Sequence, residues 1–182
     1  MKNYLNKYID DFSNLIISSK EISDNLLAVK DALVSASKKG NKTIIVGNGG
    51  SAAIASHVAV DLTKNAKIRC INFNESDLIT CFANDYGYEH WVEKAVEFYG
   101  DEGDVFISIS SSGSSENIQN GCHAARKKDF SKIITLSGMR SDNPLRKLGD
   151  INLWVDSKAY NHIENIHQFW LSQAWTWTTQ EF

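Results

Sequence analysis

TIIVGNGGSAAIASHVAVDLTK, residues 43–64, decides the fold of this 182-residue chain. Its apolar start, Ile44-Ile45-Val46, lacks polar alternation and predicts a strand buried on both faces, as in a parallel sheet. Gly47-Asn48-Gly49-Gly50-Ser51 then turns the chain, and no breaker interrupts the run to Lys64, which predicts a helix. Glycines let the backbone approach an anion closely, and a helix start offers unpaired N–H groups. A strand, a glycine turn and a helix in this order suit a phosphate. Further along, His57 and Asp61 stand at i and i+4 and project from one helix face. That spacing serves a metal-ligand or acid–base pair, and equally a plain surface pair.

Outward from this unit the pattern repeats. Residues 1–39 carry two apolar stripes at helical spacing, Tyr4-Tyr8-Phe12-Leu15 and Ile22-Leu26-Val29-Leu33, ending at Lys38-Lys39-Gly40. They read as a leading helical pair that caps the sheet or meets another subunit. After the opening unit come a strand over 68–73, a helix over 77–83, a turn at Asn84-Asp85-Tyr86-Gly87 and a helix to 99. A strand over 105–109 ends in a second small-residue loop, Ser110-Ser111-Ser112-Gly113-Ser114-Ser115, which opens a helix over 116–128. Strands over 132–136 and 151–155 follow, with a short helix over 144–148 between them and a last helix over 163–177. Alternating strands and helices predict a three-layer αβα sandwich with a five-stranded parallel sheet and right-handed crossovers. Residues 1–182 then form a single domain, with 1–39 as the helical pair and 40–182 as the doubly wound core.

If the strand order is 2-1-3-4-5, the glycine and serine loops leave neighbouring strands and face one crevice. The serine loop supplies hydroxyls and N–H groups but almost no charge, which suits a phosphate ester held at a helix end. Gly47-Asn48-Gly49-Gly50-Ser51-Ala52 also fits the dinucleotide pattern G-x-G-x-x-A. No Asp or Glu closes the second strand over 70–73, so no nucleotide cofactor is expected.

Net charge is −3 with both signs mixed, so no basic footprint for nucleic acid exists. The opening MKNYLNKYIDDF is too polar for a secretory signal, and no apolar run reaches membrane-spanning length. Three cysteines without metal spacing fit a reducing cytoplasm, with Cys70 and Cys81 as core fillers. His162 reads as a pocket wall, His167 as packing or surface, and Trp170, Trp175, Trp177 and Phe182 as packing or subunit interface.

Taken together, GNGGSAA followed by His57, Asn84-Asp85 and Ile109-Ser-Ser-Ser-Gly-Ser-Ser resemble the sugar isomerase (SIS) domain. The phosphoheptose isomerase branch is the most similar, including the leading helices and GDVFISIS. The resemblance implies a homotetramer with active sites at subunit contacts, converting sedoheptulose 7-phosphate to D-glycero-D-manno-heptose 7-phosphate. It implies that Asn48, Gly49, Gly50 and Ser51 contact sugar, that Ser110, Ser111, Ser112 and Ser115 grip phosphate, and that Asn84 and Asp85 line the pocket. It also implies a zinc site of His, Glu, Gln and His. Here His57 keeps its place, but Asp61 stands for the glutamate, Glu164 for the glutamine and Ser172 for the final histidine. Asn65 stands for an arginine.

His57, Asp61 and Glu164 are therefore the expected catalytic and metal-binding set, with zinc as the divalent ion. Glu164, Gln168 and Ser172 lie at i, i+4 and i+8 and share a helix face. Glu164 could also act as a metal-free base, and serine cannot replace histidine as a proton shuttle near neutral pH. Two other functions stay open: a non-catalytic phosphosugar-binding or regulatory protein, and an isomerase of a different phosphosugar that uses Glu164 as base.

Overall fold

Ile44, Ile45 and Val46 are all buried because the strand they form lies in the middle of a sheet covered on both faces. The computed structural model describes residues 2–16 and 20–178. Two leading helices, α1 (Lys2–Ile16) and α2 (Lys20–Lys38), precede β1 (Thr43–Gly47) and α3 (Gly50–Lys64). Next come β2 (Cys70–Ile71), α4 (Ser76–Tyr86), a 3-10 turn (Tyr88–His90) and α5 (Trp91–Tyr99). The chain continues through β3 (Val105–Ser110), α6 (Glu116–Lys127) and β4 (Lys132–Ser137). A 3-10 turn (Pro144–Lys147), β5 (Ile151–Trp154) and α7 (Tyr160–Thr178) complete it. Every strand pair is parallel, in the order 2-1-3-4-5 that the sequence predicts.

Alternate strand residues feed two separate cores. Ile45, Ile107, Ile109, Ile134, Leu136 and Leu153 face α2, α3 and α7. Ile44, Val46, Phe106 and Ile133 face α5 and α6, where Trp91 and Ile118 close the layer. This period of two is set by the pleat. Among the leading helices α2 is the structural one, since Leu26, Val29 and Leu33 are buried against the sheet. Helix α1 buries no residue fully; Phe12, Leu15 and Ile16 rest on the core while Tyr4, Leu5 and Ile9 stand in solvent.

Three local expectations fail for physical reasons. The second strand is only two residues long. Asn74 donates its side-chain N–H groups to Ala52 O (2.7 Å) and Ser56 Oγ (2.8 Å), which draws the chain off the sheet edge onto α3. Asn84 and Asp85 belong to the last turn of α4 rather than to a turn of their own, because the helix runs on to Gly87, whose φ of 92° ends it. Cys81 is exposed on α4, so of the two expected core fillers only Cys70 is one; Cys122 is buried as well. Trp170 packs in the core, whereas Phe182 and the side chains of Trp175 and Trp177 lie outside the described residues. No helix among the described residues is long and apolar enough to cross a membrane.

Candidate active site

The glycine loop is shaped by what glycine permits. Gly49 takes φ 54°, a left-handed conformation that L side chains rarely adopt. It stands at the N-cap of α3 with no side-chain cap, so the first N–H groups of that helix are left for another acceptor. At Gly50 a Cβ would lie 2.5–2.7 Å from the Glu164 carboxylate. The last helix therefore seats its glutamate directly on the first turn of α3, where the positive helix end attracts a negative charge. A cavity of about 300 Å³ opens beside this contact, lined by Gly50, Ala53, Ile54, His57, Glu164 and Gln168, among others. His57 and Glu164 thus share a cavity although 107 positions separate them (164 − 57). Ser51 is buried in the same first turn.

The serine loop leaves the sheet next door. Gly47 pairs in register with Ile109, so Asn48 and Ser110 start their loops side by side. Ser110 Oγ donates to Ser115 Oγ at 3.1 Å, and Ser112 Oγ accepts from the Ser114 N–H at 3.2 Å. Gly113 turns with φ 65° and its carbonyl accepts from Leu145 N at 3.1 Å. Ser111 is buried, and its hydroxyl has no partner among the described residues. Ser115 caps α6 in position only, with no side-chain hydrogen bond to the helix. Hydroxyls and free helix N–H groups without a cation are therefore what the loop offers an anion.

The two loops are tied together. Asn48 and Asn117 exchange amide hydrogen bonds, each 3.0 Å, and the Tyr88 hydroxyl donates to Asn48 Oδ1 at 3.2 Å. Sequence reasoning finds Asn48 but misses Asn117 and Tyr88. Asn117 lies inside the helix after the serine loop, and Tyr88 follows the glycine that ends α4, so neither sits in a recognisable pattern.

On α3, His57 Nε2 stands 3.1 Å from Asp61 Oδ2, and Asp61 Oδ1 accepts from Asn65 Nδ2 at 3.2 Å. The imidazole is largely exposed, with 61% of its side-chain surface open, and Asp61 does not line the cavity. A separation of 3.1 Å also suits two ligands of one ion, so a third donor decides the matter. Structural and catalytic zinc sites use at least three protein donors. Among the described residues no group of three His, Cys, Asp or Glu side chains is placed to hold a metal ion. Ser172 Oγ accepts from Gln168 Nε2 at 3.1 Å. Asp61 lies outside the cavity that His57 and Glu164 share, so the expected set of His57, Asp61 and Glu164 is not brought together among the described residues of one chain.

Asn84 and Asp85 are exposed on α4 and hydrogen-bond each other (2.9 Å), and neither lines the cavity with His57 and Glu164. His162 does wall a cavity, but another one, beside Tyr4, Tyr8 and Asn161. His167 is wholly buried. Its Nε2 lies 3.1 Å from Ser137 O, and burial lowers its pKa from 6.5 to about 4 against the opposing effect of that carbonyl.

The SIS domain family model matches residues 7–138. The phosphoheptose isomerase of Hamiltonella defensa is 34% identical over 169 residues, covering 90% of this chain and 77% of that protein. The solved phosphoheptose isomerase of Francisella tularensis superposes with a TM-score of 0.84 at 27% identity, over 97% of this chain and 98% of the other. That of Neisseria gonorrhoeae reaches 0.90 over the same shares of each chain; at 23% identity it speaks for the fold.

Proposed function

The chain belongs to the SIS-domain family, in its phosphoheptose isomerase branch, and from that premise we propose that it interconverts sedoheptulose 7-phosphate and D-glycero-D-manno-heptose 7-phosphate. The observation that carries this reading is the seating of Glu164 on Gly50, in one cavity with His57 and beside two joined anion-binding loops. The phosphate lies at Ser110, Ser111, Ser112 and Ser115, held by hydroxyls and the α6 N-terminus. The glycine loop, with Asn48 and Ser51, takes the sugar hydroxyls.

Isomerisation moves one proton between carbons and one between oxygens. The Glu164 carboxylate removes a proton from C1 of the ketose, leaving an ene-diol, and returns it to C2. The carbonyl oxygen at C2 becomes a hydroxyl and the hydroxyl at C1 becomes the aldehyde. His57 gives one proton to the first oxygen and takes one from the second. Asp61, outside the cavity, faces His57 rather than the sugar. No step passes through a metal.

Subunits associate through α1 on this reading, and the exposed Tyr4, Leu5 and Ile9 support it. Sedimentation should find a tetramer; a monomer at micromolar concentration would remove that part. A cytoplasmic setting, where the free thiols of Cys70, Cys81 and Cys122 stay reduced, accompanies it. The test of the function is direct. Purified protein mixed with sedoheptulose 7-phosphate should form the aldose at equal rates with added zinc and with a chelator. No aldose under either condition rejects the proposal.

A further inference from the structure

Between the two ligand loops lies a small polar knot in which Asn48 is joined by two residues, Asn117 and Tyr88, to which the reaction described above gives no part. Asn48 Nδ2 donates to Asn117 Oδ1 and Asn117 Nδ2 donates to Asn48 Oδ1, each at 3.0 Å. Two planar amides joined in this way fix each other's plane. Tyr88, from the turn after α4, donates a third hydrogen bond to Asn48 Oδ1 at 3.2 Å. The Asn48 carbonyl thereby receives two donors, which fills both of its lone pairs. Its amide nitrogen has two protons and spends one on Asn117. The other remains as a donor whose direction is set by the pairing.

Burial sharpens the assignment. Asn117 is 3% exposed and Asn48 half-buried, at the edge of the crevice between the glycine and serine loops. A buried amide left unpaired is costly, so Asn117 holds Asn48 in one orientation and excludes the flipped one. Flipping Asn48 alone would set its carbonyl against Asn117 Oδ1 and its N–H groups against Asn117 Nδ2, acceptor on acceptor and donor on donor. The knot also draws on three segments at once: the loop before α3, the first turn of α6 and the turn that begins at Tyr88.

We propose that Asn117 and Tyr88 are positioning residues that fix the Asn48 amide so that one N–H donor is presented to the oxygen of a bound sugar phosphate. The pairing also couples the glycine loop to the serine loop, so ligand held by one loop orders the other. This proposal rests on the isomerase reading for the identity of the ligand, but the orientation of Asn48 can be read in the free protein.

The experiment has two arms. In the free full-length protein, side-chain amide NMR of Asn48 should show contacts to Asn117 and to the Tyr88 ring, and Asn117→Ala should abolish the distinct Asn48 resonances. With sedoheptulose 7-phosphate, Asn117→Ala should raise KM about tenfold with kcat within threefold of wild type. The double variant Asn48→Ala with Asn117→Ala should bind no more weakly than Asn48→Ala alone. Tyr88→Phe, which removes one hydroxyl from an exposed ring, should weaken binding about threefold and serves if the Asn117 variant does not fold. Unchanged binding in Tyr88→Phe, or losses in the double variant that add in full, would overturn the proposal. If wild-type protein turns over no heptulose phosphate, the isomerase reading fails while the NMR arm still judges the amide: free rotation of Asn48 overturns the positioning role and a fixed amide upholds it.

Discussion

On the proposed reading, Glu164 is the residue on which the chemistry turns. Its carboxylate occupies the space that any side chain at position 50 would need, at the uncapped start of α3. Glu164→Gln keeps the shape and removes the base, so turnover should fall by about 10²- to 10⁴-fold while calorimetric binding of the sugar phosphate persists. A second residue-scale expectation concerns stability. His167 is wholly buried with its pKa lowered to about 4. Above about pH 6.5 the site is neutral in both folded and unfolded chains. Between that value and about 4 the unfolded chain binds a proton that the native chain refuses, so stability declines as pH falls. By pH 4 the loss from this residue approaches about 3 kcal/mol. Urea midpoints measured across this range should show the decline, and His167→Leu should flatten it. Sequence reasoning located His57, Glu164 and Asn48 through spacing and resemblance. It left His167 between packing and surface, because one imidazole at helical spacing does not reveal which face the sheet will cover.

At the scale of elements, two glycines separate function from folding. Gly50→Ala adds a methyl where the flexible end of Glu164 now sits. Alanine favours a helix over glycine by up to about 1 kcal/mol, so the melting temperature should hold or rise while the rate drops at least tenfold. Gly113→Ala behaves in the opposite way. It demands φ 65° of a residue with a Cβ, and that atom collides with the Asn143 side chain. Asn143 is buried and hydrogen-bonds Ser137 Oγ (3.1 Å), Arg140 O (2.8 Å) and Arg146 N (3.2 Å). Denaturant unfolding should reveal a loss of about 2 kcal/mol. The strands and most helices were legible because apolar runs and glycine stops are local signals. The truncation of β2 was not, since it follows from Asn74 bonding to α3, a tertiary contact. Nor was the extension of α4 through Asn84 and Asp85, where turn-forming residue types yielded to a helix that ends only at Gly87.

For the whole molecule, parallel strand order places both loops at the carboxyl ends of adjacent strands, and α7 returns to seat Glu164 against the start of α3. Parallel pairing was readable from the alternation of elements; the order 2-1-3-4-5 was a condition there, and the crevice followed from it. What the sequence did not disclose is that Asp61 lies outside the cavity that His57 and Glu164 share, because that depends on side-chain directions across two helices. The measurement that bears most directly on the central claim is the structure of the Glu164→Gln variant with sedoheptulose 7-phosphate bound. The phosphate should lie within hydrogen-bonding reach of Ser112 and Ser115, with C1 and C2 beside the position 164 amide. A ligand held elsewhere, or a phosphate at the serine loop with its reacting carbons remote from position 164, would contradict the account.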